Sequence, residues 1–402
     1  MSMDQQNSVL LYLESELDEG ETEVDISYET TQYTRTRSTA GGGAADDDRE
    51  EIAPLDAMAA IAAEGNQLLH DMFTATIVYP PNFDVFMQNM AFNRVPHLPC
   101  YDHTRVILRD KLGAGNYINA SHVDGYTGKD AYIFCQAPFN QETTNQFWRM
   151  AWQERPSIIV VLGAIDEKQI KKDDTDYDIG QKNFEKTFAH EFGKETFADA
   201  EELIHIPESF WPVNMSERLE FGKDNHLAIQ NNGVYKETHV DVINMTISEG
   251  RDKSATTALV HFKDWMNESP LPEFLPDMRA TIKLHHIRCL KKPTAFTGPI
   301  LLVCPTGIAR CGIYAILDVV LTRLAEEHSV GIKESMQAIK SQRYGCFRNV
   351  EHYKSVREMI TRFAITSGIV HENAIGEKMA STKKVKNPIK KKKFFNIKQF
   401  GK

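Results

Sequence analysis

One short segment of the chain combines a thiol and a guanidinium at a spacing that suits phosphate chemistry. The segment reads CPTGIAR and spans residues 304–310, with Cys304 first and Arg310 last. A cysteine thiolate is a strong nucleophile, and an arginine presents a planar fork that binds two oxygens of a phosphate group. The spacing alone discriminates poorly, because Cys304 could equally be an inert thiol and Arg310 the partner of a carboxylate.

The residues on either side predict a strand before this segment and a helix after it. Residues 298–303 are almost continuously apolar, as in a buried strand, and apolar residues recur at steps of three and four from Ile313 to Leu324. A loop between a strand and a helix N-terminus directs backbone N–H groups and the helix dipole to one point, which favours an anion. The residues expected to hold a phosphate are Thr306, Gly307, Ile308, Ala309 and Arg310.

Charge is distributed unevenly along the chain, whose 402 residues carry a formal net charge of −10. Residues 1–60 hold 15 acidic against 3 basic side chains, so we expect an acidic disordered tail there. Residues 61–370 alternate β-branched runs with helical periodicity, which predicts mixed α/β construction. Residues 371–402 form a Lys-rich tail, for which anionic membrane lipid or a nuclear import factor is the expected partner.

The pattern of cysteines and the length of the apolar runs indicate the cellular compartment of the protein. Six cysteines without a CxxC pair argue against a disulfide scaffold or a zinc ribbon, so free thiols are expected. No apolar run approaches the roughly 20 residues of a membrane-spanning helix, and the N-terminal apolar stretch lacks the basic flank of a signal peptide. We therefore expect a cytoplasmic protein, and the Lys-rich tail leaves the nucleus and the membrane surface open.

Several separated segments carry one family signature together with the 304–310 loop. They read NYINAS at 116–121, FWRMAW at 147–152, FWP at 210–212, which resembles a strand signature, and HFKDW at 261–265. With these motifs, about residues 65–370 resemble the classical, cysteine-based protein tyrosine phosphatase family. The resemblance implies a single α/β domain with a central twisted mixed β-sheet flanked by helices. It also implies an enzyme that works with its thiolate and arginine and needs no metal or organic cofactor.

The resemblance identifies a missing catalytic group. Members of the family use an aspartic acid in a mobile Trp-Pro-Asp loop to protonate the leaving phenolate and then to activate water. Here the tripeptide is Trp265-Met266-Asn267, and an amide can do neither. A positioned acid or base contributes roughly 10²- to 10⁴-fold in rate. Asp264 and Glu268 flank this position and are the residues that could replace the acid.

The phosphate loop also departs from the family. Pro305 has no backbone N–H, so one donor to phosphate is absent. Ala309 stands in place of a glycine and strains the turn if that position needs a positive φ. Val303 replaces a histidine, and Cys311 replaces a hydroxyl residue that assists the departure of Cys304. If Cys311 points where that hydroxyl does, the two thiols are close, and either a reversible disulfide or an inert buried thiol follows.

Residues that the family uses to recognise substrate are changed as well. Val95 replaces the aromatic residue that walls the phosphotyrosine pocket, and His97 replaces an aspartate that binds the peptide backbone. An aliphatic wall stacks less well against a phenyl ring. Arg348 and His352 lie in the segment RNVEHY, where the family carries two glutamines that position water, and Arg348 could add positive charge facing a phosphate.

The sequence thus retains groups for binding and lacks groups for turnover. The leading hypothesis is a catalytically impaired pseudophosphatase that binds phosphotyrosine-containing or other partner proteins in signalling. One alternative is a slow protein tyrosine phosphatase that uses Cys304 and Arg310 with Asp264 or Glu268 as the acid. Another is a scaffold in which the domain only carries its two charged tails. No metal and no specific nucleic acid is implied as a ligand.

Overall fold

The computed structural model describes eight stretches of the chain. They are residues 82–95, 98–126, 128–163, 210–236, 239–265, 271–327, 330–347 and 350–367. The predicted tails, residues 1–60 and 371–402, lie outside these stretches, so their disorder stays a prediction.

One mixed β-sheet of eight strands forms the centre of the described region. The strands are β1 (Ala120–Val123), β2 (Tyr132–Gln136), β3 (Pro156–Leu162), β4 (Arg218–Phe221), β5 (Leu227–Lys236), β6 (Val240–Glu249), β7 (Lys253–Phe262) and β8 (Gly298–Cys304). Their order across the sheet is β1-β2-β8-β3-β7-β6-β5-β4. The four neighbours from β2 to β7 pair in parallel, and the other pairs are antiparallel.

Six α-helices accompany the sheet among the described residues. They are α1 (Asp84–Met87), α2 (Gln141–Glu154), α3 (Leu275–Leu290), α4 (Ala309–Glu327), α5 (Ile332–Gln342) and α6 (Val350–Thr366). A capping box starts α2, because the Asn140 side chain accepts from the Thr143 N–H while the Thr143 hydroxyl accepts from the Asn140 N–H. Within the described stretches, we find no helix with the length and apolar character needed to cross a bilayer.

Strand β8 contributes side chains to two apolar layers, because successive residues of a strand point to opposite faces of the sheet. Leu301 and Val303 pack in the layer that contains Trp148 of α2. Leu302 and Cys304 pack in the other layer, together with the buried face of α4. The thiol of Cys304 therefore lies on the α4 side of the sheet.

The predicted architecture is confirmed by this single mixed sheet and its helices. The strand expected at 298–303 is β8, and the helix expected near Arg310 begins at Ala309. The segment at 210–212, which resembles a strand signature, instead lies in irregular chain before β4. Two features account for this difference. Pro212 has no N–H to donate to a neighbouring strand, and the Phe210 carbonyl accepts a hydrogen bond from Trp148 Nε1 at 2.8 Å.

Candidate active site

Cys304 ends β8 and begins the loop to α4. Its partner in the neighbouring strand β2 is Gln136. The Cys304 carbonyl accepts hydrogen bonds from the N–H groups of Ala137 at 3.0 Å and Gly307 at 3.1 Å, which hold the backbone where the strand turns into the loop. Cys304 is only 1% exposed. The thiol therefore occupies a well-anchored and largely desolvated position.

The thiol of Cys304 ionises near neutral pH. Burial on its own raises the pKa of this thiol, because a charge is poorly solvated in the interior. Hydrogen bonds from the Cys311 thiol and from the backbone of Cys311 and Ile308, together with the charge of Arg310, outweigh burial and lower the pKa to about 6. Cys304 is therefore mainly a thiolate at pH 7, and the thiolate is the reactive form.

Cys311 provides one of these hydrogen bonds from the first turn of α4. Its Sγ donates to Cys304 Sγ over 3.4 Å. Burial raises the pKa of Cys311 well above its usual range, and the hydrogen bond to Cys304 and the charge of that thiolate add to the effect. The two thiols together therefore hold one proton, which resides on Cys311.

Arg310 is completely buried and is anchored at the end of β3. Its Nη1 donates to the Leu162 carbonyl at 2.9 Å. The next residue, Gly163, has a φ of +82°, and a Cβ placed there would lie 2.1 Å from Arg310 Nη1 and 2.4 Å from the carbonyl oxygen of Trp265. Only glycine permits this approach. The guanidinium lies close enough to Cys304 to lower the pKa of its thiol.

Replacing Gly163 with alanine should displace Arg310 and destabilise the fold. The new methyl group meets the guanidinium and the Trp265 carbonyl, and the positive φ adds strain of about 1–3 kcal/mol. We expect the free energy of unfolding, measured by urea denaturation, to fall by at least about 2 kcal/mol. Gly115→Ala is the matched control, because Gly115 has a φ of +69° but no atom within 4 Å of an added Cβ. Equal losses in the two variants would show that the contact with Arg310 has no energetic weight.

Arg343, which follows α5, holds the loop from its other side. This buried side chain donates from Nε to the Gly307 carbonyl at 3.1 Å and from Nη2 to the Thr306 carbonyl at 3.4 Å. The C=O and N–H groups of a trans peptide point in opposite directions, so these bonds turn the N–H groups of Gly307 and Ile308 away from Arg343. The Ile308 backbone accordingly bonds to the Cys304 thiol, and the Gly307 N–H bonds to the Cys304 carbonyl.

No sequence signal predicts this role for Arg343. Its Nη2 also donates to Asn119 Oδ1 at 2.7 Å, and its Nη1 donates to Ser121 Oγ at 3.2 Å. Both partners lie in the NYINAS motif, which therefore marks a support of the loop as well as a family signature. Asn119 in turn donates to Asn93 Oδ1 at 3.0 Å. A chain of buried hydrogen bonds thus runs from the loop to the residues after α1.

The region of the expected general acid falls partly outside the described residues. Trp265 is buried, whereas Asn267 and Glu268 lie outside, and the predictions for them stay predictions. Asp264 is described, and its Oδ2 lies 2.5 Å from His239 Nδ1. Their side chains are 49% and 59% exposed, respectively. Asp264 is therefore engaged with a histidine at the protein surface.

The remaining predicted residues have different placements. Ala309 is the first residue of α4 and has no positive φ, so the possible strain from replacing a glycine does not arise. Val95 is buried in the apolar layer that contains Cys304, and His352 is buried on α6. His97 and Arg348 lie outside the described residues. The groups that the structure brings together are the loop at 304–310, Cys311 and Arg343.

Comparison with known proteins agrees with this geometry. The protein-tyrosine phosphatase family model matches residues 89–196 and 197–362, more than half of the chain. Tyrosine-protein phosphatase non-receptor type 9 of Rattus norvegicus and of Homo sapiens is 27% identical over 294 residues, which are 70% of this chain and 43% of the relative. Receptor-type tyrosine-protein phosphatase F of Danio rerio is 26% identical over 278 residues, which are 69% of this chain and 12% of the relative.

The chain therefore spans less than half the length of these curated relatives. The matched region contains all eight strands, the loop at Cys304 and Arg343. Since the family model covers both the architecture and the site, this chain belongs to the protein-tyrosine phosphatase family.

Proposed function

We propose that this chain is a catalytically impaired pseudophosphatase that acts by binding phosphotyrosine-containing or other partner proteins. The observation that carries the proposal is the loop at Cys304, where a buried Arg310 and the start of α4 surround the thiol. Charge-assisted hydrogen bonds from such a loop suffice to hold a phosphate group. Fast hydrolysis of a phosphotyrosine also needs a proton donor at the leaving oxygen, which contributes roughly 10²- to 10⁴-fold in rate.

The residues at and beside the position of the family's general acid support impaired catalysis. Asn267 stands where the family has its acid, and an amide has no proton to transfer at neutral pH. Asp264 could replace that acid only by leaving His239, to which it is bound at 2.5 Å. The His239 ring also stacks on Phe274 with centroids 5.9 Å apart, which favours the observed position of the pair.

A slow phosphatase is the second candidate, and one observation favours it. The pKa of about 6 at Cys304, where hydrogen bonds and Arg310 outweigh the opposing effect of burial, leaves the thiol ionised and able to attack phosphorus. In this case Asp264 or Glu268 supplies the proton, or the substrate has a leaving group that needs none.

Steady-state hydrolysis of an aryl phosphate by the full chain separates the two functions. For a pseudophosphatase, we expect the rate of the wild-type chain to be indistinguishable from that of Cys304→Ser. Without a proton donor for the leaving group the reaction does not proceed, so the presence of the thiolate makes no difference to the rate. Turnover that disappears in Cys304→Ser would establish an enzyme instead. Loss of the same wild-type turnover in Asp264→Asn or in Glu268→Gln would identify the residue that acts as the acid.

The kind of partner follows from the same proposal. A phosphotyrosine protein or peptide would place its phosphate in the loop, in the cytoplasm. The Lys-rich tail at 371–402 lies outside the described residues, and a contact with anionic lipid or a nuclear import factor stays a prediction from its composition.

A further inference from the structure

The outer face of α3 is apolar close to the C-terminal end of the helix. Ile287 and Leu290 lie three residues apart there, and 49% and 44% of their surfaces are exposed. The buried side chains of this helix, Leu275, Met278, Ile282 and Cys289, form one stripe that faces the core. At about 100° per residue, Ile287 points about 160° and Leu290 about 100° away from Cys289. The helix therefore presents apolar side chains to solvent as well as to the core.

Basic side chains adjoin these two apolar residues. Arg288 lies in the last turn of α3, and the exposed Lys291 and Lys292 follow the helix directly. Residues 278–317 contain no Asp or Glu that could offset these charges. The helix dipole favours cations at a C-terminus, but it does not account for the exposed apolar side chains beside them. The α3-end surface, which combines both characters, is formed by Ile287, Arg288, Leu290, Lys291 and Lys292.

A further cation follows α2 at the same end of the molecule. Arg155 is exposed, and its guanidinium lies 4.7 Å from the centre of the Phe296 ring. The Arg155 carbonyl accepts a hydrogen bond from the N–H of Gly298, the first residue of β8, at 2.8 Å. The end of α3 reaches this region as well, because Cys289 packs with Ala295. The α3-end surface therefore lies at the edge of the sheet where β8 begins.

The phosphate loop lies at the opposite edge of the sheet. β8 runs from Gly298 to Cys304, and a strand of this length spans about 20 Å. A flat partner that covers the α3-end surface therefore leaves the loop open to protein ligands.

We propose that the α3-end surface docks onto a bilayer that contains anionic lipid. Apolar side chains enter the boundary between headgroups and acyl chains, while neighbouring lysines and arginines stay at the headgroups and attract anionic lipid. Each such cation near an anionic leaflet strengthens binding about fivefold. A symmetric contact with a second copy would instead bring the same cations together, and like charges repel. Charge complementarity therefore selects the membrane surface.

Sedimentation of the full chain with lipid vesicles tests this surface. Vesicles of phosphatidylcholine mixed with phosphatidylserine are compared with vesicles of phosphatidylcholine alone. We expect the wild-type chain to bind the anionic vesicles only, and to be released as salt screens the charges. The apolar variant Ile287→Ser, Leu290→Ser and the charge variant Lys291→Glu, Lys292→Glu should each bind at least about 10-fold more weakly.

Matched controls change similar side chains elsewhere on the surface. Met215→Ser alters an apolar side chain that is 73% exposed, and Lys333→Glu with Lys354→Glu reverses two exposed lysines on α5 and α6. Both controls should bind vesicles as the wild-type chain does. Cys304→Ser should also bind fully, so the result does not depend on whether the loop holds phosphotyrosine.

The Lys-rich tail is a second cationic segment, so each comparison is repeated in a full chain with Lys390–Lys393 replaced by Gln. The losses caused by the two α3-end variants should appear in both backgrounds. Anionic binding that these variants leave unchanged would assign the lipid contact to the tail and overturn the proposal. A wild-type chain that ignores anionic vesicles would overturn it equally, as would a dimer in sedimentation equilibrium that Leu290→Ser dissociates without any lipid binding.

Discussion

The double variant Asn267→Asp, Pro305→Ser should hydrolyse aryl phosphates at least about 100-fold faster than the wild-type chain. The first change restores a carboxyl that can donate and accept the proton, which contributes roughly 10²- to 10⁴-fold. The second restores a backbone N–H next to Cys304, and a hydrogen bond to a charged group is worth about 1.5–3 kcal/mol. The measurement is kcat with an aryl phosphate for the wild-type chain, both single variants and the double variant.

The control for this gain is Asn267→Ala with Pro305→Ser, which changes the same positions without adding a carboxyl. Its rate should stay well below that of the active double variant, and any gain over the wild-type chain measures the contribution of the restored N–H alone. Adding Cys304→Ser to the active double variant should abolish the gained activity, because the thiolate is the nucleophile. Unchanged rates in the double variant would place the catalytic defect elsewhere, for example at Cys311, Val303 or the altered RNVEHY segment.

Removal of the Arg310 guanidinium should abolish the preference of the protein for phosphorylated over unphosphorylated tyrosine peptides. Arg310 is the buried cation next to Cys304, and each charge-assisted hydrogen bond that it makes to phosphate is worth about 1.5–3 kcal/mol. We therefore expect the affinity for a phosphotyrosine peptide to fall by about 10- to 100-fold in Arg310→Ala, and the affinity for its unphosphorylated form to stay unchanged. Fluorescence polarisation of matched peptide pairs measures both.

Arg310→Met is a second variant for this experiment, because methionine fills much of the buried space that alanine leaves empty. Arg362→Ala is the matched control for loss of a positive charge, since Arg362 pairs with Glu273 at the surface. It should keep the full preference. The ratio of the two affinities is the informative quantity, because unfolding would lower both. A wild-type chain that binds both peptides equally would leave only the scaffold function.

Catalysis and binding can fail independently in this loop because they depend on different atoms. Proton transfer depends on a carboxyl group near residue 267, whereas anion binding depends on Arg310 and the N-terminal end of α4. One chain can therefore lack turnover and still bind phosphate.

Local pattern was enough to predict the strand, loop and helix around Cys304. The apolar run of β8 and the stripe on α4 each reflect burial within one element, which a continuous stretch of sequence records. The resemblance to a strand signature did not predict the conformation at 210–212, where a long-range hydrogen bond from Trp148 and the missing N–H of Pro212 leave the chain irregular. The loss of proton transfer at Asn267 can also be predicted without a structure, because no conformation gives an amide a transferable proton.

The surroundings of the thiol depend on contacts between distant parts of the chain. Gly163 and Arg343 meet the loop, and Asn119 supports Arg343, because β1, β2, β8 and β3 are neighbours in the sheet and α5 packs nearby. The pKa of Cys304 and its contact with Cys311 arise from atoms that folding brings within a few ångströms. Residue types and spacing thus determined which chemistry this chain could perform. Tertiary packing decided which groups act together, because hydrogen bonds and charges act over distance in space and not along the sequence.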